Sequence, residues 1–369
     1  MPLINSASGK ISVILVVDSN PNKLSVAITD TLARETGAMV HYLLLAPANA
    51  RRGGYHGVLP GSLVKKLVVY EKPVKPAAQL KKLETDDSEK LLGYITDLVL
   101  SCSATTGKQN VLYFDRETFG FAASELGKFL PAFNVCFVPH ADQDPHFFPG
   151  GDFIAGDDFL LIGHKLVADL SGHMSRAGYW DNFFLYHQYK EVIPRVLVLN
   201  YKPKENERYN SVLYHLDLYL TYLGSEQGKP SFLLAEIVPD RVSGLADTPK
   251  AREAADFLED VLAQLNIFFN GQVMIRRIPL FLYKDVHPMT YNNGLVESKS
   301  GGNVYYMPEY VLENVPEPDA QKAIAESMHQ CKQIVEGCFG LVKTIPIPDN
   351  YLITYRQSLH CIAAVLQRS

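Results

Sequence analysis

Short apolar runs alternate with helix-like segments along the whole of this 369-residue chain. That alternation constrains the fold most, because strands interleaved with helices build α/β architectures rather than bundles or sandwiches. Ile11–Val17, Val40–Leu45, Val111–Phe114, Val135–Val138, Phe159–Ile162, Val196–Leu199, Phe232–Ile237, Val273–Ile278, Val304–Met307 and Tyr351–Thr354 read as strands. Asn22–Thr36 carries apolar residues at helical spacing, and Ser88–Leu100 opens with a Ser before acidic residues. Pro249–Leu265 places Ala254, Phe257, Leu258, Val261, Leu262 and Leu265 on one face; Asp319–Glu336 is similar, with Gly337 as its expected stop. The Lys- and Pro-rich stretch Lys65–Leu83 reads as a solvated excursion, and loops are expected at 51–54, 145–151, 202–208 and 298–302. Nothing marks an internal boundary, so residues 1–369 are expected to form a single domain.

Composition narrows the function classes. With 47% hydrophobic residues, 20% charged residues and a formal net charge of −5, the chain has the balance of a globular protein and no basic footprint for nucleic acid or an anionic membrane. The first residues lack a basic start and apolar core, and no apolar run reaches a membrane span; a cytoplasmic protein is expected. Five scattered cysteines without a CxxC pair argue against a disulfide framework or a structural zinc site. His140, Asp142, Asp144 and His146 alternate like metal ligands, but a polar stretch before a Gly-Gly turn reads first as a solvated loop; neither metal nor cofactor is expected.

Five segments carry chemistry. Ser358-Leu359-His360-Cys361 ends on a thiol, the strongest ordinary side-chain nucleophile, although Cys361 among Leu359, Ile362 and Ala363 also reads as a small buried hydrophobe. Tyr214-His215-Leu216-Asp217 offers an imidazole and a carboxylate two residues apart, which on a strand would share a face; a core histidine is the other reading. Asp115-Arg116-Glu117 follows an apolar strand, where α/β folds place functional groups and where a local ion pair is equally at home. Gly150-Gly151-Asp152 leads into Gly156-Asp157-Asp158; the latter is hairpin chemistry, while Asp152 stays open between turn stabiliser and active-site acid. Thr290-Tyr291-Asn292-Asn293-Gly294 is turn chemistry that could also hydrogen-bond a ligand.

Taken in chain order, the five segments resemble those of the guanidino-group-modifying superfamily, which comprises arginine, agmatine and peptidyl-arginine deiminases, dimethylarginine dimethylaminohydrolases and amidinotransferases. Leu112–Phe119 is similar to the deiminase strand-exit segment, 150–163 to the Gly-Gly-Asp hairpin, and His215-Leu216-Asp217 to the His-x-Asp motif. Thr290–Asn293 resembles the Ser-Tyr-x-Asn stretch of agmatine deiminases, and Ser358–Cys361 the Ile/Leu-His-Cys end. The resemblance spans roughly residues 110–365. It implies the α/β pentein propeller, five ββαβ-type modules with pseudo-fivefold symmetry. It also implies hydrolysis of a guanidine-type C–N bond by Cys361 as nucleophile and His215 as general acid/base. Asp217, Glu117, Asp152 and Asn293 would then bind a small cationic guanidino-type substrate. Amidino transfer to a second amine, or a catalytically silent pentein that binds a ligand or partner, are the alternatives; a homo-oligomer is compatible with all of them. The chain departs from the deiminase pattern at Glu117 (usually Asp), at Pro149 (often Glu) and at Tyr355-Arg356-Gln357, where glycines are usual.

Overall fold

The computed structural model describes residues 6–18, 23–47, 64–72, 99–102, 109–114, 130–138, 151, 153–163, 195–199, 212–238, 248–284, 287–299, 302–313, 315–348 and 358–368. The chain forms two compact units, one made of Ile11–Pro145 with Cys361–Ser369 and the other of Met1–Lys10 with His146–His360.

In the first unit, β1 (Ile11–Asp18), α1 (Lys23–Thr36) and β2 (Met39–Pro47) form a strand–helix–strand crossover. α1 turns Ile28, Leu32 and Ala33 inward and packs on β1 and β2. The crossover makes β1 and β2 parallel, and β3 (Val64–Lys72) continues the sheet in parallel beside β2. A strand therefore occupies the start of the segment read as a solvated excursion. Its apolar run Leu67-Val68-Val69-Tyr70 is flanked by Lys65-Lys66 and Glu71-Lys72, whose charges mask it in composition. A second sheet holds β4 (Val99–Cys102), β5 (Gln109–Phe114) and β6 (Phe133–Val138). Val99 and Leu100, expected as a helix end, belong to β4, while 88–98 lie outside the described residues.

The other unit carries β7 (Phe153–Ala155) and β8 (Phe159–Ile162), joined by the expected hairpin through Gly156-Asp157-Asp158, with β9 (Arg195–Val198) parallel beside β8. Next come β10 (Leu220–Glu226), β11 (Lys229–Val238), α2 (Pro249–Phe268), β12 (Met274–Tyr283) and β13 (His287–Met289). α2 starts where Thr248 Oγ1 accepts from the Ala251 amide at 3.1 Å and Pro249 supplies a pre-set φ. Its buried stripe, Ala254, Leu258, Val261 and Leu265, follows the 3.6-residue period and packs on β11.

The last sheet of this unit is built by β14 (Leu295–Lys299), β15 (Gly302–Val311), α3 (Pro318–Cys338) and β16 (Leu341–Pro348). α3 buries Ala320, Ile324, Ser327, Cys331 and Val335 against β12 and β16. It runs through Gly337, the expected stop, and ends one residue later, where the Phe339 amide donates to Val335 O at 2.8 Å. Glycine costs a helix only about 1 kcal/mol, too little to end it by itself. A short helix, α4 (Leu359–Ile362), precedes β17 (Ala363–Arg368), which pairs antiparallel with β1 in the first unit. The expected strand Tyr351–Thr354 lies outside the described residues.

Among the described residues there are five sheets, and one pairing pattern recurs in each. A central strand, β1, β5, β8, β11 or β15, has an antiparallel neighbour on one side and a parallel neighbour on the other. The parallel neighbour requires a crossover, which α1, α2 and α3 supply in three of the five.

Candidate functional site

The site is assembled from three segments of the unit containing residues 146–360. The first is the approach to β10. His215 is extended, at φ −117° and ψ 147°, and Leu216–Leu218 form a single 3-10 turn closed by the Leu218 amide on His215 O at 3.1 Å. His215 and Asp217 therefore flank a tight turn and are not on a strand, as their two-residue spacing had suggested. All of 212–220 is buried. The His215 ring meets the Tyr214 ring edge-on, with centroids 4.7 Å apart.

The second segment is Thr290–Gly294, where hydrogen bonds replace regular structure. Thr290 Oγ1 donates to Leu218 O at 2.6 Å, joining this loop to the 3-10 turn. Asn292 Nδ2 donates to Leu233 O at 3.0 Å, and Thr221 Oγ1 donates to Asn292 O at 2.5 Å. Three tyrosines tie the backbone: Tyr305 donates to Tyr291 O at 2.5 Å, Tyr310 to Thr290 O at 2.6 Å, and Tyr291 to Ile324 O at 2.7 Å. These bonds answer the accounting demand on a buried loop, whose peptide groups have no ladder to pair with.

The third segment is Ser358–His360. Ser358 Oγ lies 3.2 Å from the Tyr310 hydroxyl. The His360 amide donates to Asn293 Oδ1 at 2.7 Å and more weakly to Asn293 O at 3.3 Å. Asn293 is fully buried, and its carboxamide oxygen thus holds a first-turn amide of α4.

The segments converge on Asp217, which is 5% exposed. His360 Nδ1 stands 3.0 Å from Asp217 Oδ2. An ionised carboxylate only accepts hydrogen bonds, so Nδ1 carries the proton and donates. Asp217 Oδ1 is buried and has no hydrogen-bond partner among the described residues. Gly151 forms the wall beside it: a Cβ there would stand 3.0 Å from Oδ2 and 3.1 Å from Oδ1. A side chain there would push the carboxylate aside by a few tenths of an ångström.

The described residues bring together Asp217 and Asn293, both bound to His360, with His215 on the same turn as Asp217. The sequence assigns His360 no role of its own. Its neighbour Cys361 marked the segment, but no local pattern showed a ring reaching a carboxylate 143 positions away. Cys361 follows His360 in α4 and its side chain is not described; Glu117, Asp152, Pro149 and the 355–357 segment lie outside the described residues, as do 140, 142, 144 and 146. Among the described residues no group of His, Cys, Asp and Glu could hold a metal, and no helix is long and apolar enough to cross a membrane.

Burial pushes the phenols of Tyr291 and Tyr305 above the usual 10.0. The same cause raises the thiol of Cys331. In the unfolded chain these phenols titrate near pH 10, whereas in the folded one they keep their protons to higher pH. The stability this confers is complete below about pH 10 and is lost as pH rises through and beyond it. Melting temperature is expected to fall between neutral pH and about pH 11, with the buried phenols ionising only as the protein unfolds. A flat alkaline profile would contradict the tyrosine ties.

No protein-family model matches the chain, and no curated protein matches it significantly. Solved structures do. A proposed peptidyl-arginine deiminase is 15% identical with a TM-score of 0.58, covering 100% of this chain and 99% of its own. The proposed arginine deiminase of Porphyromonas gingivalis is 14% identical with a TM-score of 0.59, covering 99% and 96%. The agmatine deiminase of C. jejuni is 12% identical with a TM-score of 0.54, covering 99% and 94%. At such identities the likeness establishes the fold: this chain has the pentein fold of these proteins.

Proposed function

We propose that this protein hydrolyses a guanidine-type C–N bond through a covalent thiouronium-type intermediate on Cys361. The observation that carries the reading is Asp217: a buried carboxylate with one oxygen held by His360 and the other without a partner among the described residues. Burying such an oxygen without a donor is costly, and a cationic N–H ligand removes the cost. In this mechanism the Cys361 thiolate attacks the guanidinium carbon and His215 protonates the departing nitrogen, then takes a proton from the hydrolytic water. Asp217, Glu117 and Asp152 accept the substrate's N–H groups in charge-assisted hydrogen bonds, with Asn293 in support. The five sheets are read as the five modules of one propeller domain. Their shared antiparallel-then-parallel pairing supports this reading.

The test is a screen of arginine, agmatine, methylated arginines, citrulline and peptidyl-arginine for release of ammonia, amine or urea, with and without an added acceptor amine, and with Cys361→Ala as the blank. Release that needs no acceptor is expected; dependence on the acceptor would indicate amidino transfer. In parallel, 2-chloroacetamidine should alkylate Cys361 faster than the other cysteines. Cys331 and Cys338 are poor competitors because burial raises both thiols. No turnover together with no selective labelling would refute the proposal.

A further inference from the structure

In the proposed function Asp217 binds a cation, yet one of its oxygens is already occupied by His360. We propose, resting on that reading, that His360 is a positioning residue: its ring fixes one oxygen of Asp217 so that the other is presented to a cationic amidine or guanidine. Three observations carry this. First, the engagement is one-sided. His360 Nδ1 takes Oδ2 at 3.0 Å, while Oδ1 is buried and unpartnered among the described residues. A purely structural contact at a buried carboxylate would be expected to leave neither oxygen unsatisfied. Second, the ring's own backbone is anchored. The His360 amide is bound by the fully buried Asn293 side chain, and the residue two before it, Ser358, meets the Tyr310 hydroxyl that also binds Thr290 O. Third, Asp217 has a hard wall on another side, because Gly151 leaves no side chain between its backbone and the carboxylate. A carboxylate bounded by the ring and by Gly151 has little rotational freedom, and orientation of this kind is what preorganised recognition requires.

The test uses the intact chain and two probes of nearly the same shape, cationic 2-chloroacetamidine and neutral 2-chloroacetamide. With each, the Cys361 sulfur bonds to the methylene carbon and chloride leaves with the C–Cl electron pair. The quantity read is the ratio of the two alkylation rates at Cys361, located by peptide mass. It cancels changes in thiol reactivity and isolates recognition of the positive charge. The natural chain should prefer the cation. His360→Ala and His360→Gln should lower that preference about tenfold or more, since neither places a donor where Nδ1 stands. His360→Asn, whose amide nitrogen falls near the Nδ1 position, should retain most of it. Should the alanine variant fail to fold, the Gln and Asn pair carries the same comparison. A preference that survives in His360→Gln overturns the positioning role and leaves the functional reading intact. A natural chain without any preference overturns the functional reading, and this one with it.

Discussion

Asp217→Asn is expected to lower kcat/KM on the substrate found by the screen about a hundred- to a thousandfold, with the melting temperature unchanged or slightly raised. The substitution keeps shape and volume. The amide oxygen can still accept from His360 Nδ1, which now stands 3.0 Å from Oδ2. The change falls on the other atom, where a buried acceptor without a partner among the described residues becomes an N–H donor. An N–H facing the N–H groups of a guanidinium repels where the carboxylate attracted. The same substitution removes a charge from a buried position, which relieves a cost of folding. Activity and stability should therefore move in opposite directions. Parallel losses in both would instead indicate that Asp217 serves the fold.

Gly294→Ala is expected to destabilise the protein by roughly 3 kcal/mol, seen as a melting temperature lower by several degrees. A Cβ at this position would stand 2.6 Å from the Tyr305 hydroxyl and 2.6 Å from the backbone oxygen of Tyr306. Neither neighbour can yield. The Tyr305 hydroxyl is committed to Tyr291 O and Asn292 O, and the Tyr306 carbonyl belongs to the β14–β15 pairing. The loop would have to withdraw, taking Asn293 and its hold on the His360 amide with it. Activity should fall along with stability, unlike for Asp217→Asn. A variant as stable as the natural chain would show that the loop is not held as tightly as its hydrogen bonds imply.

The fold was legible wherever a local period sufficed. The stripes of α2 and α3 and the apolar runs of β1, β8, β11 and β15 are visible in sequence, because burial on one face imposes 3.6- or 2-residue patterns. What was hidden depends on pairing between distant segments. β3 reads as a solvated stretch because Lys65-Lys66 and Glu71-Lys72 flank its short apolar run. β17 is an apolar end with no local mark of its partner, although Val365 stands opposite Ile14. The site shows the same division. His215, Asp217 and Asn293 stand out in sequence as candidate residues, and Gly151 as a close-approach glycine. Their geometry was not, since a 3-10 turn leaves no periodic trace and the partner of Asp217 arrives from the far end of the sequence. His360 shows this most clearly: the thiol beside it is conspicuous in sequence, while its own ring makes the contact.

The closeness of Gly151 to Asp217 bears on how this protein could diversify. Selectivity in binding pockets commonly evolves by exchanging one wall residue for another of different size. At position 151 that route is narrow, because even one added methyl would press on the carboxylate. If Asp217 lines a binding pocket, residue 151 should vary less than the other walls as ligands change.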